Sequence, residues 1–298
     1  MFTTIAALTL FIGSAAADQT AFEVEKSPQH WAFDVRWTDA EGARHRAQFE
    51  LPTAMVKADL DEPLRYKLQE ANQTIAAEVR SWAADRKGPE IKARVSNGGV
   101  QITASGKNRD KIEQALAEAA VVRDQAAARY RAEHGFTTLD GGILPDHIQH
   151  VRDYADDLDP VVTALGGPGD DPRAFAELAL GFVQNIPYEQ ASKQRDRYRR
   201  PLSLLGRNRG DCDSKSTLYL ALMHQAWPEL PLAMVYIPGH AYVGMGMEPQ
   251  RGEAKLERDD RSWLLAEPVG PSLLPVGEVG KKSRRRAKRG RVDLMVLD

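Results

Sequence analysis

Sulfur is scarce in this chain, whose 298 residues include a single cysteine, Cys212. One thiol cannot close a disulfide within its own chain, and zinc sites built on four cysteines, or on two cysteines and two histidines, are excluded with it. Long hydrophobic runs are also missing. The stretch that comes closest, Ile5 to Ile12, falls far short of the roughly 20 residues that cross a bilayer, so no transmembrane span is expected. Nor does either charge dominate, since 40 Lys and Arg face 42 Asp and Glu for a formal net charge of −2. That balance argues against a protein that coats nucleic acid, and no nucleic-acid partner is expected. What is present is ordinary for a globular protein. With 42% hydrophobic residues, dominant disorder is excluded, and the length suits one large domain or two modest ones.

The balanced total hides a segregation. Residues 281–291 (KKSRRRAKRGR) carry eight basic and no acidic side chains, so the overall −2 leaves −10 on the rest of the chain. The segment Lys281 to Arg291 reads either as a contact for an anionic surface, lipid head groups or an acidic partner, or as a flexible solvated loop. At the other end, residues 1–17 (MFTTIAALTLFIGSAAA) are uncharged in their side chains and close on Ala15-Ala16-Ala17. This is the pattern of a secretory signal with an A-x-A cleavage site, which predicts export to a secreted or periplasmic location and a mature chain starting at Asp18. In an oxidising compartment an unpaired thiol is either buried and inert or kept for its reactivity.

Along the chain, Trp31 to Trp37 alternates apolar and polar residues, a turn follows at Asp39–Gly42, and Ala43 to Leu51 completes a predicted hairpin. Ala54 to Asp85 is helical in pattern with a break at Pro63. Ile91–Val95, the Asn97-Gly98 turn and Val100–Ile102 predict a second hairpin, and Lys107 to His134 a long helix ended by Gly135. These pieces, two rounds of strand, strand, helix, suggest a small α+β module over residues 18–169 with a helical connector. In that connector His147 and His150 stand three apart, which is metal-ligand spacing on a helix, but a solvated polar face accounts for them equally and no metal is assigned. Gly166-Gly-Pro-Gly169 reads as a linker, and Asp170-Asp-Pro172 as a helix start, so a domain boundary is expected there.

Chemistry concentrates in residues 170–298. Arg209-Gly-Asp-Cys212 opens a run that is apolar almost all round after Thr217, the pattern of a buried helix. Asp211 is a natural cap and Gly210 permits a tight entry turn. Cys212 is thereby placed at a helix N-terminus, where unsatisfied N–H groups and the dipole are expected to lower the thiol pKa and later to hold an oxyanion. Downstream, Leu232–Ile237, Gly239–Met245 and Trp263–Glu267 read as strands, the second opened by His240 and the third closed by Glu267. On adjacent antiparallel strands these two supply a base and an acid that orients it, giving the order Cys, His, Glu. Asp259 and Asp260 compete with Glu267 for the last role.

The order and the local motifs resemble the transglutaminase-like cysteine hydrolase superfamily. The resemblance rests on Ile186-Pro-Tyr188, Gly210-Asp-Cys212, Gly239-His-Ala-Tyr-Val243 and Leu264-Leu-Ala-Glu-Pro268, and covers about residues 170–270. Tyr242 stands where tryptophan is usual in that superfamily, and Glu267 where aspartate is commoner. The resemblance implies an α+β papain-like core in which the helix bearing the cysteine packs on an antiparallel sheet, with Cys212, His240 and Glu267 as a triad. By analogy Gln184 is a candidate second oxyanion donor, although a solvent-facing helix glutamine is an equal reading. Tyr188 and Asp213 are candidate substrate contacts. Asp213 with Lys215 also reads as a local ion pair at a solvated helix start, and the basic loop Lys193 to Arg200 as one wall of a cleft or as solvated surface. The expectation is therefore an exported peptidase or amidase that uses no cofactor and takes a protein or peptide substrate. The alternatives are an acyl transferase with the same triad and a catalytically silent envelope binding module.

Overall fold

The computed structural model describes residues 17–96, 98–189 and 198–298. The chain is mixed α+β and its sheets are antiparallel. Strands β1 (Asp18–Lys26), β2 (His30–Thr38) and β3 (Arg44–Pro52) form one three-stranded sheet in chain order. Alternation decides which face is inside: Trp31, Phe33, Val35 and Trp37 of β2 and Ala47, Phe49 and Leu51 of β3 are all buried. Helix α1 (Thr53–Asp61) follows directly. Next come α2 (Leu68–Ala84), the hairpin β4 (Glu90–Ser96) and β5 (Gly99–Ser105), α3 (Arg109–Glu133), and a short hairpin of β6 (Phe136–Leu139) and β7 (Gly142–Pro145). Asn97 of the expected turn lies outside the described residues.

The remaining chain builds α4 (His147–Ala155), α5 (Asp159–Ala164), α6 (Pro172–Asn185), α7 (Pro201–Arg207) and α8 (Cys212–Ala226). A five-stranded sheet then takes β8 (Leu232–Ile237), β9 (His240–Met245), β10 (Lys255–Arg258), β11 (Arg261–Ala266) and β12 (Asp293–Leu297) in the spatial order β10-β11-β9-β8-β12. Helix α9 (Lys281–Lys288) interrupts the path from β11 to β12. The basic segment is therefore helical over most of its length and not the flexible loop that was one expectation.

Two compact units result. Residues up to Pro63 join His147–Asp298 in one, and Leu64–Asp146 is the other. The glycine-rich stretch at 166–169 is not the division. It turns the chain between α5 and α6 with Gly166, Gly167 and Gly169 at φ of 98°, 72° and 63°. Val161 and Val162 before it and Phe175 and Ala176 after it enter one core. The glycines meet a need for left-handed backbone, which in a sequence looks like a linker. The first hairpin and α1 also side with the C-terminal residues, while α2 joins the second hairpin and α3 in the Leu64–Asp146 unit, closed around Ala71, Ile75, Ala126 and Tyr130 and around Val79, Ala93 and Ala119.

In the first unit α8 is the central element. Leu218 to Met223 are each fully buried, against α4, α6 and α7 on some sides and β8 and β9 on another. Each of the large side chains there stabilises the fold by roughly 1.5–3 kcal/mol. That burial fixes the helix and therefore the position of its first residue, Cys212.

Candidate active site

The turn into α8 is set by its cap and by a glycine. The Asp211 carboxylate accepts from the Ser214 backbone N–H at 3.0 Å and from the Ser214 hydroxyl at 2.6 Å. A Cβ on Gly210 would meet a methyl of Leu204 at 2.7 Å and the Ser214 Cβ at 3.1 Å, so only glycine fits without displacement. The Ile186-Pro-Tyr188 segment runs beside this turn. Gly210 N–H donates to the Pro187 carbonyl at 3.3 Å, Glu189 N–H donates to the Gly210 carbonyl at 2.9 Å, and Tyr188 and Gly210 form a parallel bridge. The motif is thus a clip on the turn that leads to Cys212, and burial first, then the Asp211 and Asp213 carboxylates, push the phenol pKa of the partly exposed Tyr188 up.

His240 opens β9, and Glu267 follows β11, its antiparallel neighbour, whose Ala266 pairs with Val243. His240 Nε2 donates to Glu267 Oε1 at 2.7 Å. The other carboxylate oxygen, Oε2, accepts from the Ser283 hydroxyl of α9 at 3.3 Å. Glu267 is buried while His240 keeps an exposed edge. Behind the imidazole, the Tyr242 ring stacks with centroids 6.1 Å apart and an interplanar angle of 23°. The next residue along β9, Ala241, has its backbone N–H near enough to Cys212 to favour the charged form of the thiol. His240 and Glu267 are therefore joined across β9 and the end of β11, and Cys212 at the start of α8 lies near the backbone of Ala241. Asp259 and Asp260 occupy the β10–β11 turn with φ of 52° and 57°, away from this bond.

No family model matches the chain, and no curated protein matches it either.

Several expected roles change on this geometry. The thiol pKa is not lowered. Burial, then the Asp213 carboxylate, push it above its ordinary value, Asp211 adds to the rise, and the Ala241 N–H opposes it. Cys212 Sγ in turn donates to Asp213 Oδ1 at 3.3 Å. Partial burial and two neighbouring carboxylates favour the protonated form, so the resting group is a thiol. Gln184 is neither solvent-facing nor a spare oxyanion donor. It is buried, and its side-chain amide donates to the Glu267 carbonyl at 2.9 Å and to the Leu274 carbonyl at 2.8 Å, which uses both hydrogens to hold the chain around Glu267.

Lys215 departs furthest from expectation. It is fully buried, and among the described residues no carboxylate acts on its charge. Its Nζ donates to the carbonyls of Gln184 at 3.1 Å and Ile186 at 2.7 Å, where α6 ends. Burial lowers its pKa to about 7. A neutral amine has two N–H groups, the number these carbonyls accept. His147 and His150 are also buried and not on a solvated face; His147 Nδ1 meets the Tyr236 hydroxyl at 2.5 Å and His150 Nδ1 the Tyr198 hydroxyl at 2.9 Å. Among the described residues, no group of three or more His, Cys, Asp and Glu side chains could hold a metal ion. Most of the loop Lys193 to Arg200 lies outside the described residues. Its last two arginines are structural, with Arg199 paired to Glu189 at 2.6 Å and Arg200 to the buried Asp59 at 3.0 Å. No described helix is long and apolar enough to cross a membrane.

Proposed function

We propose that this chain is an exported thiol hydrolase of amide or peptide bonds, of transglutaminase-like type, that works through an acyl-enzyme on Cys212. The observation that carries the reading is the 2.7 Å bond from His240 Nε2 to Glu267 Oε1, on the strand whose next residue, Ala241, has its backbone N–H near Cys212. A carboxylate on Nε2 fixes the tautomer with its hydrogen there, which leaves the Nδ1 lone pair to act as base. Because the resting thiol is protonated, Nδ1 takes the thiol proton as sulfur attacks the carbonyl carbon. Glu267 stabilises the imidazolium so formed, and Ser283 keeps Glu267 in place. In this scheme the Cys212 N–H, in the first turn of α8 where N–H groups lack helical partners, holds the oxyanion. The C–N bond then breaks, the imidazolium protonates the leaving amine, and a thioester remains. Water attacks the thioester, gives its proton to Nδ1, and releases the carboxylic acid and the thiol.

The test is turnover of a peptide and amide panel, run beside melting curves. Glu267→Gln keeps the shape but loses the charge that stabilises imidazolium, so turnover should fall by orders of magnitude with the fold intact. Cys212→Ala should abolish it, while Asp259→Asn and Asp260→Asn should stay near wild type. Activity that survives Glu267→Gln and collapses in either aspartate variant contradicts the assignment. The protonated thiol favours one rival, a silent binding module, which stands if Cys212→Ala matches wild type in the protein's cellular role.

A further inference from the structure

Helix α9 carries a cationic face with no acidic partner among the described residues, and it begins beside the proposed catalytic pair. Ser283 and Ala287, four apart, are its buried residues. Ser283 bonds Glu267, and Lys282 Nζ donates to the Pro238 carbonyl at 3.0 Å, in the turn that leads to His240. Lys281, Arg285, Lys288 and Arg289 are exposed on the other side, followed by the exposed Arg291. Fixed cations are therefore held within a helical turn or two of Glu267 by contacts that also position it.

We propose that this face docks an acidic segment of the peptide or protein substrate beside the His240–Glu267 pair, an inference that rests on the hydrolase reading above. The charge balance of the chain supports it. The residues outside 281–291 carry −10, so an anionic partner is repelled over the body and steered to this helix. Spacing supports it as well. Residues four apart on a helix rise about 6 Å, which places Lys281, Arg285 and Arg289 near the roughly 6.5–7 Å repeat of alternate side chains in an extended peptide. A membrane is the weaker occupant, because an interfacial helix inserts an apolar face, and the inward face of α9 is spent on the protein core.

The test uses two labelled peptides of equal length and central sequence, one with Glu and one with Gln at alternate flanking positions. Binding is read by anisotropy on the Cys212→Ala protein, and turnover on the wild type. The Glu peptide should bind roughly tenfold to a hundredfold more tightly at about 0.05 M salt, and the preference should collapse at about 0.5 M. It should also collapse in the triple variant Arg285→Glu/Lys288→Glu/Arg289→Glu. The matching triple Gln variant, which adds no repulsion along α9, should lose most of it; melting curves check that both are folded. Equal binding of the two peptides, or a preference that neither variant changes, overturns the proposal. So does an α9-dependent affinity only for phosphatidylserine vesicles, or an α9-dependent dimer in sedimentation velocity without peptide preference. Cleavage of both peptides at equal rates removes the docking face and leaves the hydrolase standing. Selective binding without cleavage supports docking and counts against the hydrolase.

Discussion

Replacing Lys215 by methionine tests whether a buried amine, rather than an ammonium ion, braces the end of α6. In the folded chain the pKa of Lys215 falls to about 7 from an ordinary 10.5. Between those values the unfolded chain binds more protons than the folded one, so stability rises with pH across that window. With these two pKa values the linkage integral gives a gain of about 2 kcal/mol between pH 7 and pH 9. The variant loses the ionisation cost but leaves the Gln184 and Ile186 carbonyls without their donor, at about 1–3 kcal/mol for each buried group. The two effects nearly offset at pH 7, and the variant becomes the less stable protein as pH rises. Urea melts of both proteins at pH 7, 8 and 9 measure this, and the titration of Cys212 and the tyrosines, common to both, cancels in the difference. The wild-type advantage should grow by about 2 kcal/mol over the range. Parallel pH profiles would refute a buried amine with a lowered pKa.

Other outcomes follow from the same electrostatics. Cys212 should alkylate with iodoacetamide only as pH rises past the range of an ordinary thiol, because burial and Asp213 hold its pKa up; fast reaction below pH 7 would mean a resting thiolate. Asp213→Asn removes the negative charge beside the thiol and should move that profile to lower pH. Burial, with His150 adding to it, holds the His147 imidazole at a pKa of about 3, in a site that also presents the Tyr198 ring and the Tyr236 hydroxyl. An unfolded histidine protonates first, so stability should fall by about 1.4 kcal/mol per pH unit as pH drops from about 6.5 toward 3, and His147→Phe should flatten that slope in acid melts. Mass spectrometry of exported protein should find an N-terminus at Asp18; an intact Met1 in a cytosolic pool contradicts export.

What is legible in the sequence depends on how local each signal is. The β2–β3 hairpin can be read because alternation over nine residues buries four aromatic or branched side chains on one face. The start of α8 can be read too, since a capping aspartate, a glycine with no room for a Cβ and an apolar run all fall within a few residues. Strand β1 carries a shorter alternation, with Phe22 and Val24 packed on the core and Glu23 and Glu25 exposed, and it owes its length to pairing with β2. The division of the chain escapes a linear reading for a similar reason, as the first sheet shares its core with α6 through contacts such as Trp37 on Phe182 at 5.4 Å. At the site, residue type and order point to His240 and Glu267. They give no sign of Ser283, sixteen residues past Glu267 inside a run of arginines, or of a lysine beside the nucleophile turning inward. Their roles depend on where α9 and the end of α6 come to rest. The thiol pKa moves against the expectation because sequence shows the helix start but not the burial, and burial with two carboxylates is the larger effect.

The most direct measurement is intact-protein mass spectrometry after rapid acid quench of a reaction with an activated amide or ester. The account predicts a mass increase equal to the acyl group, mapped by peptide analysis to Cys212, absent in Cys212→Ala and formed far more slowly in Glu267→Gln. Turnover of the same substrate without an adduct, or an adduct that persists in Cys212→Ala, would contradict an acyl-enzyme on Cys212.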